Sequence, residues 1–320
     1  MRKTLLILVT ILAMTDYISA EEIIIEPDAT YMFAEKDTSQ LFLDIYKPSN
    51  GSETTYLGKK KPTILFMFGG GFVQGERDNK FYQPWFKQLV DNGFTVISID
   101  YRLGLKDKEN LGFGKIKLIE NAIYMAVEDL FSATSYIIEN AESLEVDPNN
   151  IIISGSSAGA IAALQADYNL ANKTKYAKEL PNDFKYAGVI SFAGGIFSRE
   201  GKLDYKETPA PTLFLHGTKD KVVAYKQIRF FNLGFFGSDK IAERFKKFNY
   251  NYSILRYADH GHEIAGALVQ SFDKQLVFIY TNVMRNEKRI VDAIIDDPSI
   301  EKNTAPASLK EIYGNDSDIE

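Results

Sequence analysis

Residues 149–168 read NNIIISGSSAGAIAALQADY. Three isoleucines, Ile151 to Ile153, lead into a cluster of serine and glycine. From Ala158 the chain carries small and apolar residues as far as Tyr168 with no proline. The first part suits a buried strand ending at Ser154 and the second suits a helix. So little chain lies between them that only a sharp turn fits. Within that turn Gly155, Ser157 and Gly159 make the pattern G-x-S-x-G. Between a strand and a helix, this pattern lifts a serine oxygen clear of the backbone. The glycines let two backbones come close, and Ala158 and Ala160 keep the approach open. The turn selects Ser157, because Ser154 still belongs to the strand and Ser156 precedes the bend. A serine that only caps the helix would show the same local pattern.

Seven further runs look like strands: EIIIE (22–26), LFLDIY (41–46), TILFMF (63–68), TVISID (95–100), AGVISFA (187–193), TLFLH (212–216) and YSILRY (252–257). From TILFMF onward they alternate with stretches of helical periodicity at 80–92, 120–141, 158–168, 222–232, 238–248 and 263–284. Near-continuous apolar strands separated by helices indicate an α/β protein, with a mostly parallel eight-stranded sheet and helices on both faces. The first two runs alternate more and are expected to form an antiparallel edge. NGSETTYLGKKKP (50–62) reads as a surface loop. From Asn286 the chain turns charged and proline-containing, and residues 286–320 are expected to form a helix and a charged tail.

A serine hydroxyl needs a base to attack at neutral pH. The chain has three histidines: His216 in LFLHGTKDKVV, and His260 and His262 in YADHGHEIAG. Both places follow strands, where a parallel sheet builds its site. The base needs an orienting acid. Asp220 lies on the loop after a strand. Asp204 precedes that strand, and Asp259 is too near the histidines in sequence to reach round. Serine, acid and base then follow in the order of one serine-hydrolase fold and not of the others.

Taken together, FGGGFVQGERD (68–78), GFTVISIDYRLG (93–104), VDPNNIIISGSSAGA (146–160), LFLHGTKDKVV (213–223) and YADHGHEIAG (257–266) resemble the α/β-hydrolase superfamily, in particular its exported carboxylesterases of the acetyl-xylan and feruloyl esterase type. The resemblance implies an α/β-hydrolase fold over residues 21–285 and a triad of Ser157, Asp220 and His262. It favours His262 over His260 because His262 follows Gly261 just ahead of the last long helix. It leaves His216 to shape the acid loop. It also implies an oxyanion hole from the N–H groups of Gly70, Gly71 and Ala158. Phe68 stands where such esterases usually carry histidine. No cofactor is implied. The expected partner is a small-molecule or glycan ester carrying a short acyl group such as acetyl or feruloyl. A serine peptidase of the same superfamily and an inactive binding protein on this fold are the rival readings.

Other features narrow the function less. Formal charge is −6, and no basic run suggests nucleic acid. There is no cysteine, hence no disulfide or thiolate site. Arg2, Lys3 and the apolar stretch Leu5–Met14 before Ala20 read as a signal peptide over residues 1–20. Ten residues rise only about 15 Å as a helix, half of what a membrane span needs. The protein is therefore expected to be secreted or periplasmic, without stable membrane insertion. The histidines lack zinc-site spacing, so no metal is expected. Trp85 and the aromatic stretch 230–240 are candidates for a pocket lining, or for core.

Overall fold

The computed structural model describes residues 24–108 and 115–302. The leader expected over 1–20 and the end of the tail lie outside these residues. The chain opens with β1 (Ala29–Lys36) and β2 (Ser39–Tyr46), followed by a small hairpin of β3 (Thr55–Tyr56) and β4 (Lys59–Lys60). Next come β5 (Thr63–Met67), α1 (Gln83–Asp91), β6 (Thr95–Ile99), α2 (Lys115–Glu139), β7 (Ile151–Ser156) and α3 (Ala158–Ala171). The second half holds β8 (Gly188–Phe192), β9 (Gly195–Ser198), β10 (Thr212–Gly217), β11 (Gln227–Phe230), β12 (Leu233–Gly237) and α4 (Ser238–Phe248). It closes with β13 (Tyr252–Tyr257), α5 (Phe272–Phe278) and β14 (Ile290–Ile295).

Among the described residues, nine strands form the main sheet in the order β1-β2-β6-β5-β7-β8-β10-β13-β14. β2 runs antiparallel to both β1 and β6, and every pair from β6 to β14 is parallel. β5, β7, β8 and β10 are buried along their whole length, as strands covered on both faces must be. The connection from β5 through α1 steps toward the β1 edge. The one from β7 through α3 steps the other way. Right-handed crossovers in opposite directions put α1 and α3 on opposite faces. They also make the loops after β5 and β7 diverge, opening a crevice at the carboxyl ends of two neighbouring strands.

The core follows from this layering. α1 buries Trp85, Phe86, Leu89 and Val90. Trp85 and Phe86 both pack against Phe66 of β5, with ring centroids 5.1 and 5.4 Å away. Trp85 Nε1 donates to Gln275 Oε1 at 2.8 Å, which ties α1 to α5. α3 is buried on nearly every side, between the sheet and α2. Its run of alanines suits that place, because small side chains let both neighbours approach.

Several elements differ from expectation. Residues 22 and 23 of EIIIE lie outside the described residues and 24–26 form no strand; the first described strand is Ala29–Lys36, after Pro27, and the Ile25 N–H turns to Gln83 Oε1. The helix expected over 222–232 is absent; β11 occupies 227–230 and pairs with β12, because Ile228, Phe230 and Phe235 suit strands and Asn232 supplies a turn. The helix expected over 263–284 is broken into a 3₁₀ turn at His262–Gly266, then α5, then a π turn at Ile279–Met284. The largest correction concerns the segment after 285. Residues 290–295 form a strand rather than a helix, so among the described residues the sheet has nine strands, not eight, and runs past 285. IVDAII alternates half-buried with exposed positions, as an edge strand does, and its flanking charges masked that period.

Candidate active site

Ser157 sits in the bend between β7 and α3 with φ 50 and ψ −112, a conformation that side-chain-bearing residues avoid. Its N–H donates to Phe192 O at 2.9 Å, and its carbonyl accepts the Ile161 N–H at 2.9 Å. These anchors hold the strained residue in place. A Cβ on Gly155 would lie 2.3 Å from the Gly159 carbonyl carbon, and one on Gly159 would lie 2.2 Å from Met67 O. The bend is therefore closed to any larger residue. Neither neighbouring serine bonds a histidine. Ser154 is buried in β7 beside Phe66, and Ser156 Oγ donates to Ala265 O at 2.8 Å.

Ser157 Oγ lies 2.9 Å from His262 Nε2, and His262 Nδ1 lies 2.8 Å from Asp220 Oδ2. A carboxylate oxygen only accepts, so Nδ1 carries the proton and Nε2 presents its lone pair to the serine. The other Asp220 oxygen, Oδ1, accepts the N–H groups of Val222 and Val223 at 2.8 and 3.0 Å. Burial alone would push the Asp220 carboxyl up. Hydrogen bonds from His216 and His262 overcome that and hold it well below the usual carboxylate range. The acid is thus ionised and fixed. His262 is the most accessible of the three histidines, its side chain 23% exposed, while His216 and His260 are fully enclosed.

The structure brings Ser157, His262 and Asp220 together and leaves the alternatives apart. His260 turns to Glu263, with Nδ1 3.0 Å from Oε1. Asp204 pairs with Lys202 and Arg244. Asp259 is exposed, 3.9 Å from Lys219. Trp85 lies in the core, only 1% exposed. In the 230–240 stretch Phe236 is buried, whereas Phe230 and Phe231 are exposed at the β11–β12 turn.

The glycine loop after β5 borders the same crevice. Gly70 has φ 118, and a Cβ there would lie 1.9 Å from Gln74 O. Gly71 and Phe72 continue in the left-handed region. The Gly69 N–H donates to Tyr82 Oη at 2.8 Å. Among the described residues, the N–H groups of Gly70 and Gly71 have no acceptor. Ala158 opens α3, where the first N–H groups have no intrahelical partner. Phe68, in the place of the usual histidine, stacks on Tyr101 at 4.4 Å, and Tyr101 Oη–H donates to Phe68 O at 2.9 Å. An aromatic stack and two tyrosine hydroxyls thus brace the loop. Neither Tyr82 nor Tyr101 was singled out from the sequence, because nothing in their spacing marks the contact.

Strand order, crossover pattern and a serine at the diverging loops define an α/β-hydrolase fold. The BD-FAE family profile matches residues 43–196, from β2 into β9. Esterase E4 of Myzus persicae is 33% identical over 120 residues, 38% of this chain and 20% of that protein. Gut esterase 1 of Caenorhabditis elegans is 27% identical over 140 residues, 44% of this chain and 23% of that protein. The chain thus spans under a quarter of these relatives' length. A thermophilic esterase from the planctomycete Thermogutta terrifontis superposes with a TM-score of 0.56 at 21% identity, covering 78% of this chain and 92% of that one. That likeness is one of fold. Among the described residues, no helix is long and apolar enough to cross a membrane.

Proposed function

We propose that this protein is a serine hydrolase of carboxylic esters. The observation that carries the reading is the chain of contacts from a strained Ser157 through His262 to a buried, ionised Asp220. Ser157 Oγ attacks the acyl carbon while His262 Nε2 takes its proton. The carbonyl oxygen becomes an oxyanion, received by the N–H groups of Gly70, Gly71 and Ala158. His262 returns the proton to the leaving alkoxide as the C–O bond breaks. Water then attacks the acyl-enzyme, giving its proton to His262, and Ser157 recovers it as the acid departs. Asp220 holds the tautomer and offsets the imidazolium charge.

Short acyl groups such as acetyl or feruloyl on glycans are the proposed substrates. The likeness to the BD-FAE family and to curated esterases supports ester chemistry, and the Thermogutta esterase, which has been seen with propionate and butyrate bound, supports a short acyl group. The segment 1–20 is proposed to direct export and to be removed. N-terminal sequencing of the exported protein tests this, with a start at residue 21 expected.

The central test is hydrolysis of p-nitrophenyl esters from acetate to decanoate by wild type and Ser157→Ala. Short esters should be cleaved, and the variant should fall on the order of 10⁴-fold. Equal inertness of both proteins would favour a binding protein. An active wild type matched by its variant would overturn the choice of serine, and preference for amides would favour a peptidase.

A further inference from the structure

We infer that His216 is a positioning residue for this site: its Nε2–H holds Asp220 Oδ2 and shares that oxygen with His262. The inference rests on the triad reading above and goes beyond it, since a second imidazole on the acid has no part in the three-residue mechanism.

The geometry fixes the proton on His216. Nε2 lies 3.2 Å from Asp220 Oδ2 and 3.1 Å from Val223 O. Both are acceptors, so Nε2 must be the donor. Nδ1 lies 2.8 Å from Oγ of Ser238, the first residue of α4. A neutral His216 accepts the Ser238 hydroxyl there. A protonated one donates to it, and Ser238 Oγ can turn toward Gly194 O, 3.5 Å away. The ring also meets Tyr225 edge-on at 5.5 Å. It is thus gripped at both nitrogens and on its flank, and is fully buried.

The placement is specific. His216 is the penultimate residue of β10, and Asp220 lies four residues later on the loop that the strand feeds. Asp220 Oδ2 takes one imidazole from each side, His262 at 2.8 Å and His216 at 3.2 Å. The charged and titratable groups around His216 are few. Asp220 and His262 face it through the shared oxygen, and Tyr225 flanks it. Arg256, its register partner on β13, is committed to Asp239, Asp292 and Tyr225. His216 therefore acts mainly on Asp220.

A carboxylate oxygen that takes a second charge-assisted bond is a weaker acceptor for the first. His216 thus locks the acid's rotamer and divides the capacity of Oδ2 with His262. Removing the donor has two effects. Asp220 is held less well, so kcat falls. Its full charge then falls on His262, so the acid limb of the pH profile moves to higher pH.

The experiment compares His216→Leu, which removes both nitrogens, with His216→Gln, whose Nε2 can replace the donor. Ser238→Ala loosens only the far end of the ring and serves if the Leu variant does not fold. Two readouts are taken: pH profiles of kcat and KM on p-nitrophenyl acetate, and an NMR titration of the His262 imidazole. For His216→Leu, kcat should drop on the order of tenfold to a hundredfold with KM little changed. The acid limb and the His262 titration should both move up in pH. His216→Gln should restore most of kcat and the wild-type titration. Ser238→Ala should move both in the Leu direction by a smaller amount. Wild-type behaviour in His216→Leu overturns the proposal. So does an equal loss in the Leu and Gln variants with the His262 titration unmoved, which would make His216 a packing residue. If wild type cleaves no ester but the titration shifts as described, the positioning role stands and the ester-hydrolase reading falls.

Discussion

Ser157 can occupy its strained backbone only because its neighbours leave no room to relax. Gly159→Ala would set a methyl group against Met67 O at 2.2 Å, in backbone that cannot yield cheaply. Overpacking of this kind costs about 1–3 kcal/mol or more. The expected outcome is a lower thermal midpoint together with lost esterase activity, checked by calorimetry and assay on one preparation. A fully stable, fully active Gly159→Ala would contradict the close-packed bend. Asp220→Asn should keep the fold and lower kcat by about 10⁴-fold, because an amide no longer enforces the His262 tautomer. At this scale the sequence spoke clearly where chemistry imposes a local pattern. G-x-S-x-G demands its glycines, and the Gly261–His262 pair stands just after a strand. It was silent where contacts are made across the fold. His216 and Asp220 are four residues apart, but their meeting depends on how the loop after β10 curls back. Tyr82 reaches Gly69 only because α1 begins where it does.

The elements show what periodicity reads well and what it does not. Strands buried on both faces were legible because they are continuous apolar runs. Edge elements were not, because half their residues face water and mimic loops or helices. β14 is the case in point. Its Asp292 bonds Arg256 of β13, which holds the Asp292 carboxyl below its usual range. Ending the chain at residue 287 would strip β14 and leave the edge of β13 unpaired. An open, parallel, apolar edge invites pairing with other chains. The truncated protein should melt at lower temperature and scatter light at micromolar concentration. A truncation that stays monomeric with an unchanged midpoint would show that β14 is dispensable.

Across the whole molecule, two buried carboxylates pull stability in opposite directions with pH. Asp220 is held below the ordinary range, so its contribution is present above about pH 4 and is lost as pH falls through its folded value. Asp167 in α3 is the reverse. Burial raises it to about 7, against the Ala210 N–H at 3.2–3.3 Å and the positive charge of Lys185, and it borders a cavity of about 200 Å³. The folded chain keeps this proton where the unfolded chain has released it. Stability therefore falls as pH rises from about 4 through 7. Asp167→Asn should be more stable than wild type at pH 8 in urea unfolding, with the gap closing toward pH 4. A gap that does not depend on pH would mean that Asp167 is not buried in this way.

The site's parts come from widely separated points of the chain, and this has a consequence for synthesis. The base follows the nucleophile by 105 residues. At the usual pace of translation that is roughly 5 to 20 s. Throughout that interval the emerging chain carries a serine with no partner to activate it. Under the proposed function, a stalled or prematurely ended polypeptide is harmless to the esters of the cell that makes it. Hydrolytic power arrives only when nearly the whole sheet is ready to close.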